Sequence, residues 1–487
     1  MRRNQPLPEP RVDAAFLRAA GRSPVAPLRL LLSDGQALCL TRWLRVLPSK
    51  RLVGEGTWQG RHVVAKFFVA ANSERHWRQE KEGLDALRAA RLPTPELLLA
   101  EALPGGGHVL LTAYLEGTQS LLDACQLITP RHENQRALGD LLRPAFALLG
   151  TMHAQALLQE DLHLGNFLQS GDALFMIDGD AVRAKTQPLD ATLALANLAL
   201  LLAQFTPFWD PCRADWLVAY QAAGGCSLGS GELLEREVTR ARATRLENFL
   251  AKTQRDCTLF SVQRRFARWS AVCRGDEDRL RACLAAPDEF MAQGTPLKEG
   301  RTSTVVKIKS PDAAGRAVKN LVLKRYNLKN LAHALSRCWR PSRAWHSWHE
   351  GHRLRFLGIA TPAPLAVLEE RIGSLRRRAF LLTECCDGPD LLTALSPDQA
   401  PPSELANALL SLLQQLYAAR ITHGDLKATN LLWYAGEVLL IDLDSVVAHT
   451  QEARFAKAWQ RDRARLLRNW PEDCALFRWL DQRIPAA

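Results

Sequence analysis

Two short stretches of this 487-residue chain set an aspartate, an asparagine and a second aspartate at the same offsets. Asp161 is followed by Asn166 and Asp178, and Asp425 by Asn430 and Asp442. In both, the asparagine lies five residues after the first aspartate and the second aspartate seventeen after it. A loop carboxylate can orient or deprotonate a hydroxyl, and a carboxamide oxygen with a second carboxylate can grip a hard divalent cation. Phosphoryl transfer asks for that set and a lysine on the phosphates, because the reaction needs positioning and charge rather than covalent help. An isolated Asp-x-x-x-x-Asn is commonly a turn or a cap, but three positions repeated at fixed spacing mark a duplicated unit.

The lysine is present upstream in each copy, in Val63-Val-Ala-Lys66 and in Leu321-Val-Leu-Lys324. Each ends an apolar, strand-like run where a lysine is badly placed to reach solvent, which favours a phosphate-binding role for Lys66 and Lys324. Glycines precede each run, Gly54, Gly56 and Gly60 in the first copy and Gly300 in the second, and are expected in a loop covering the nucleotide. A glutamate on the following helix should pair with the lysine. Glu80 or Glu82 is available in the first copy and Glu350 in the second. A Thr-Pro then ends the helix, at Thr94-Pro95 and Thr361-Pro362. The D-L-x-x-x-N run is the spacing of the kinase catalytic loop, with Asp161 and Asp425 on the acceptor hydroxyl. Asn166, Asp178, Asn430 and Asp442 are the Mg²⁺ candidates. His423 precedes Asp425, and Lys427 follows it as a point charge for the transferring phosphate. Gln159 and His163 hold those places in the first copy, which makes its activity the less secure of the two. Asp180 and Asp444 receive no role at this stage.

These residues require a β-rich front carrying the lysine and a helical back carrying the Asp-Asn loop. The expected fold is α+β, a two-lobed arrangement with a β-rich front and a helical back, in two tandem copies. The first copy is expected over residues 1–290, with a long helical segment from Gly231 to Ala286, and the second over 297–487. A linker is expected over 291–296, around Gly294-Thr-Pro296. The apolar stretch Ala191 to Phe205 is shorter than a bilayer span and interrupted by Asn197, so it reads as a buried helix.

Composition narrows the setting. With 47% hydrophobic and 23% charged residues the chain can build sizeable cores, and its length favours more than one domain. Eleven scattered cysteines without a C-x-x-C pair suit reduced thiols, and the charged amino terminus does not support a signal peptide, so a cytoplasmic setting is expected. The net charge of +12 points to an anionic partner. Its densest part is Lys298 to Arg343, twelve Lys or Arg against Glu299 and Asp312. Arg337, Arg340 and Arg343, with Trp339, Trp345 and Trp348, would suit an anionic membrane surface. Nucleic acid is not expected, because acidic residues are mixed through the Arg-rich region 236–281.

The runs HGDLKATNLL, LLIDLDSV, LVLKRYN and RPSRAWHSWHEGHRLRFLGIATP resemble bacterial lipopolysaccharide kinases, the group containing the heptose and 3-deoxy-manno-octulosonic acid kinases. The earlier runs RLVGEGTWQGRHVVAKFF and EDLHLGNFL are similar to the same group. The resemblance implies a protein-kinase-like bilobal fold, ATP with Mg²⁺ and phosphorylation of an inner-core sugar on a lipopolysaccharide core or related glycolipid acceptor. It also implies a peripheral position on the cytoplasmic face of the inner membrane. Two other readings stay open, an aminoglycoside-type phosphotransferase and one active kinase domain beside a regulatory pseudokinase.

Overall fold

The computed structural model describes residues 12–128, 134–171, 173–229, 231–300, 302–311, 318–327, 341–373 and 375–486. The chain separates into two units. One comprises Met1–Phe205 and Pro211–Ala241, the other Thr206–Asp210 and Arg242–Ala487.

In the first unit six strands form one antiparallel sheet: β1 (Leu28–Leu31), β2 (Ala37–Leu47), β3 (Arg51–Trp58), β4 (Arg61–Phe68), β5 (Leu97–Leu103) and β6 (Gly107–Ala113). Their order is β1-β2-β3-β4-β6-β5. The period of two along β4 buries Val63, Ala65 and Phe67 in the core on one face and turns Lys66 to the other. Helix α1 (Glu74–Ala89) lies between β4 and β5 in sequence. The helical part contains α2 (Gln135–Ala154), α3 (Ala191–Leu202) and α4 (Arg213–Ala222). Helix α3 is apolar almost all round and is the buried helix expected of that stretch, with Asp190 capping its start by accepting from the Leu193 N–H. Helix α5 (Gly231–Lys252) contains the division between the units.

The second unit is built on seven antiparallel strands: β7 (Phe260–Arg265), β8 (Arg268–Cys273), β9 (Thr295–Glu299), β10 (Ser303–Pro311), β11 (Val318–Tyr326), β12 (Pro364–Ile372) and β13 (Leu375–Glu384). The order is β7-β8-β12-β13-β11-β10-β9. Its helices are α6 (Glu277–Ala285), α7 (Pro287–Gln293), α8 (Arg343–Phe356), α9 (Ser403–Ala418), α10 (Glu452–Leu467) and α11 (Ala475–Arg483). A leucine-rich core joins α9, α10 and α11 to the loop that carries Asp425.

The sheet corrects two sequence expectations. The helical segment expected from Gly231 to Ala286 ends at Lys252, and residues 260–273 are the hairpin β7-β8, which pairs through β8 with β12. Its edge strand exposes Gln263, Arg264 and Arg265 to solvent, which in sequence looks the same as a solvated helix face. Residues 242–296 therefore pack with the second unit, and the boundary expected at 290 is displaced. The supposed linker is structure. Gly294 joins α7 to β9 where a Cβ would stand 2.8 Å from the Val306 side chain.

The basic segment behaves differently from expectation too. Arg337, Trp339 and Arg340 lie outside the described residues. Trp348 is fully buried in a cluster with Phe260 and is not presented to a membrane, and the half-buried Trp345 stacks on His349 at 5.0 Å.

His352 sits in that aromatic cluster, with ring centroids 4.1 Å from Trp348 and 5.0 Å from Phe260. Its Nε2 is buried without a hydrogen bond among the described residues. Burial, helped by Arg355 and His349, pulls its pKa from 6.5 down to about 3. A folded pKa below the unfolded one means that the unfolded chain binds the extra proton. The stability is thus complete above pH 6.5 and drains as pH falls toward 3, at about 1.4 kcal/mol per unit. Urea titrations of the second unit should lose about 2 kcal/mol between pH 6.5 and 5 through this residue, and His352→Phe should remove that part of the slope.

Candidate active site

The two Asp-Asn loops have one local architecture. Each turns through a single 3₁₀ turn, Leu164–Asn166 or Ala428–Asn430, and enters a short hairpin that returns the chain to the second aspartate. The hairpin accounts for the fixed spacing between Asn and Asp. The Asn430 Nδ2 donates to the Asp425 carbonyl at 2.9 Å, and Asn166 does the same to Asp161. With Nδ2 committed, Oδ1 is the atom each asparagine offers a cation. The Thr of each Thr-Pro ties the front to this hairpin. Thr94 donates to the Met176 carbonyl at 2.8 Å and Thr361 to the Leu440 carbonyl at 2.7 Å.

His423 and Gln159 make similar bonds, to carbonyls one position apart on the returning loop. His423 donates from Nε2 to the Ile441 carbonyl and accepts the Asp425 N–H at Nδ1, at 2.9 and 3.2 Å. Gln159 donates from Nε2 to the Asp178 carbonyl and accepts the Asp161 N–H at Oε1, at 2.8 and 3.2 Å. A carboxamide and a neutral imidazole each carry one donor and one acceptor at the right separation. The residue that set the first copy apart in sequence therefore does the same mechanical work.

In the second unit the residues surround a cleft of about 800 Å³. Val305, Val322 and Leu432 give it apolar walls, and Lys298, Lys324 and Lys427 converge on it with Asn430 and Asp442. Lys324 lies on β11 in register with Val305 and Leu381. Its Nζ donates to Asp442 at 2.6 Å and to Asp444 at 2.9 Å. Burial alone would lower the lysine's pKa, but Tyr326, Asp444 and Asp442 outweigh it and hold the ammonium well above its ordinary value. Burial likewise works to raise Asp442, and Lys324 prevails and holds it below the usual carboxylate range. Asp442 has φ 61 and ψ 58, a left-handed conformation that aspartate tolerates better than bulkier residues, and in it the carboxylate meets Lys324. Asp425 faces two cations, Lys427 at 3.2 Å and Arg465 of α10 at 3.0 Å. The buried Asp462, also on α10, accepts the N–H groups of His423 and Gly424 and fixes the turn before Asp425.

The first unit brings the corresponding residues together with a different anchor. Lys66 contacts Glu80 of α1, donates to the Ile177 carbonyl at 3.2 Å and lies 3.7 Å from Asp178. Glu80 is fully buried, and it also accepts the N–H groups of Gly179 and Asp180. Burial pushes its carboxyl up to about 7, opposed by Lys66 and reinforced by Asp178. Burial works against the Lys66 charge as well, but Glu80 and Asp178 more than offset it and raise its pKa. Helix and loop touch through two glycines. A Cβ on Gly83 would stand 2.0 Å from the Gly179 carbonyl oxygen, so only glycine admits the approach that delivers Glu80. Asp161 is exposed, with the His163 ring 4.0 Å away.

Three sequence assignments change. Gly54 and Gly56 lie within β3, not in a loop. A Cβ on Gly56 would come 2.3 Å from the Cys39 carbonyl, because the irregular register of β2 brings the two backbones close. The corresponding turn, between β2 and β3, holds Pro48, Ser49 and Lys50, whereas Gly300 does lie in the turn between β9 and β10. Glu82 is exposed, leaving Glu80 as the lysine's partner in the first unit. Glu350 is bound by Arg353 and His349 and does not reach Lys324. Ser347 stands fourteen residues before the Thr of Thr-Pro, as Glu80 does, and it donates to Asp444 at 2.9 Å. Asp444 also accepts the Tyr326 hydroxyl at 2.8 Å. The lysine's anchor has moved from the helix to the loop, a change the Thr-Pro spacing could have revealed. Asp462 and Arg465 carried no sequence signal beyond their places on an amphipathic helix.

The metal candidates Asn430 and Asp442 fit Mg²⁺, which keeps several waters and takes few protein ligands beside phosphate oxygens. No group of three or more His, Cys, Asp or Glu suited to a metal occurs among the described residues.

Residues 296–476 match the Lipopolysaccharide kinase (Kdo/WaaP) family. The span contains Lys324, Asp425, Lys427, Asn430 and Asp442, and the first unit lies outside it. On this match the chain is an enzyme of the kinase class, with a phosphotransferase domain in its second unit. No curated protein matches the chain. Among solved structures it is similar to WaaP in complex with acyl carrier protein, at 20% identity over 42% of this chain and 89% of that one, with a TM-score of 0.32. It is also similar to two mutant forms of the Mycobacterium tuberculosis PknI kinase domain, each at 14% identity over 42% of this chain and 95% of that one, with a TM-score of 0.29.

Two measurements address this geometry. Asp444→Asn should lower the basicity of Lys324 and raise its labelling by an amine-acylating reagent roughly tenfold near pH 9, about one pKa unit, read by mass spectrometry. Gln159→Ala should cost the first unit about 1–3 kcal/mol by leaving two buried groups unpaired, whereas Gln159→His should retain most of that stability in urea denaturation.

Proposed function

We propose that the second unit is an ATP-dependent kinase that phosphorylates a heptose or similar sugar of the lipopolysaccharide inner core. The observation that carries the reading is the family match over residues 296–476, whose span contains a lysine fixed between two carboxylates beside a cleft rich in lysine. The apolar slot between Val305, Val322 and Leu432 suits a nucleotide base, and Lys298, Lys324 and Lys427 suit its phosphates. Mg²⁺, held by Asp442 and Asn430, would neutralise charge on the phosphates. Asp425 takes the proton of the acceptor hydroxyl as its oxygen bonds to the γ-phosphorus, and the bond from that phosphorus to the bridging oxygen of ADP breaks. Lys427 and Arg465 hold the Asp425 carboxylate in place until the acceptor arrives.

The first unit is proposed as a second nucleotide site of the same type, with Lys66, Glu80, Asp161, Asn166 and Asp178. It supplies the same kinds of group, and the two bonds that Gln159 makes to its Asp-Asn turn support this reading. Acceptors borne on an anionic membrane agree with the net charge of +12. No helix among the described residues is long and apolar enough to cross a membrane.

The test is the phosphate content of lipopolysaccharide core from a deletion strain complemented with wild type, Asp161→Asn or Asp425→Asn, read by mass spectrometry. Deletion should remove phosphate that wild type restores, and each variant should leave the core incomplete, with the affected step slowed roughly 10²–10⁴-fold. A core unaltered by deletion defeats the sugar-core reading. Full restoration by Asp161→Asn defeats turnover at the first site.

A further inference from the structure

Helix α10 turns one face to solvent that carries a single sign of charge. Arg454, Lys457, Arg461, Arg465 and Arg468 are all exposed, at spacings of three, four, four and three. At 100° per residue they fall within an arc of about 80° and extend about 21 Å along the axis. Arg454, Lys457 and Arg461 have no ion pair or side-chain hydrogen bond among the described residues. The helix's two acidic residues point elsewhere, Glu452 to Arg420 and Asp462, buried, to the turn before Asp425. A merely solvated helix face mixes its signs and gains from pairs four apart, whereas here such neighbours repel.

We propose that this face is a docking surface for an anionic phospholipid bilayer. Charge complementarity selects the partner class, and length selects the bilayer within it, since about 21 Å exceeds what one phosphate group can occupy and spans several headgroups. Between the cations stand only alanines and a glutamine, with no exposed aromatic or large aliphatic side chain to insert, so the attachment is electrostatic and weakens with salt. The face also leads to the site. Arg465 belongs to it and reaches Asp425 at 3.0 Å, so a surface lying along α10 presents the hydroxyls of its lipids toward the catalytic carboxylate. That orientation rests on the phosphotransferase reading above, but the attachment itself does not.

The experiment is sedimentation of the full chain with vesicles, without nucleotide, comparing phosphatidylcholine alone with phosphatidylcholine containing roughly one-third phosphatidylglycerol. Wild type should bind the anionic vesicles, not the neutral ones, and should release them at high salt. Each charge contributes about fivefold to partitioning, so Arg454→Gln/Lys457→Gln/Arg461→Gln should bind roughly a hundredfold more weakly, and Arg454→Lys/Arg461→Lys should bind like wild type. Unchanged thermal unfolding of the glutamine variant keeps the comparison a test of charge. Equal binding to neutral vesicles, undiminished binding by the glutamine variant, or tighter binding of duplex DNA than of vesicles overturns the proposal. Intact vesicle binding by a protein that leaves the core phosphate unaltered overturns the sugar-core reading and leaves this one standing.

Discussion

A lysine withdrawn from water is the constraint around which each site is arranged. Lys66 and Lys324 project from central strands of their sheets, where the ammonium loses most of its hydration. Such a charge persists only with carboxylates at contact distance, and removing one partner of a buried pair typically costs about 3–5 kcal/mol. The loop that carries the second aspartate must therefore come up to the strand, and much else in each unit serves that approach. The hairpin between Asn and Asp returns the chain, the Thr hydroxyl fastens the hairpin to the front, and Gln159 or His423 bolts the Asp-Asn turn to the same loop.

The units satisfy this constraint in different ways. In the first, Glu80 comes from a helix that needs Gly83 to get close enough. In the second, Asp444 stands two residues beyond Asp442 and accepts donors from Lys324, Tyr326 and Ser347, so its charge is spread over several hydrogen bonds. A helix glutamate at Ser347 would add a further carboxylate to a group of donors already committed to Asp444.

Legibility followed the range of the interaction. Asp161, Asn166 and Asp178, and their counterparts Asp425, Asn430 and Asp442, are readable because one local turn and one short hairpin set their spacings. Lys66 and Lys324 were readable because a lysine inside an apolar alternation is anomalous on its face. Glu350 was misassigned because residues on a helix can be told apart only by which face meets the sheet, and Ser347 does not look like a replacement for a glutamate. Gly54 and Gly56 looked like a phosphate loop because the sequence does not reveal that β2 crowds Cys39 against them. The hairpin β7-β8 was hidden because an edge strand with one solvated face has the composition of a polar helix. Arg465 and Asp462 depend on tertiary packing of α10 against the turn that carries Asp425, and no local pattern encodes that.

The position of the lysine's anchor decides how each unit can be switched. Glu80 rides on α1, and turning that helix by a single residue, about 100°, would carry the carboxylate away from Lys66 while leaving the strands intact. In the second unit the corresponding helix offers Asp444 a hydroxyl and a guanidinium, but the carboxylates on Lys324 belong to one loop. Helix displacement there would loosen the anchor without dismantling it, so the two anchors differ in how far they depend on the placing of one helix.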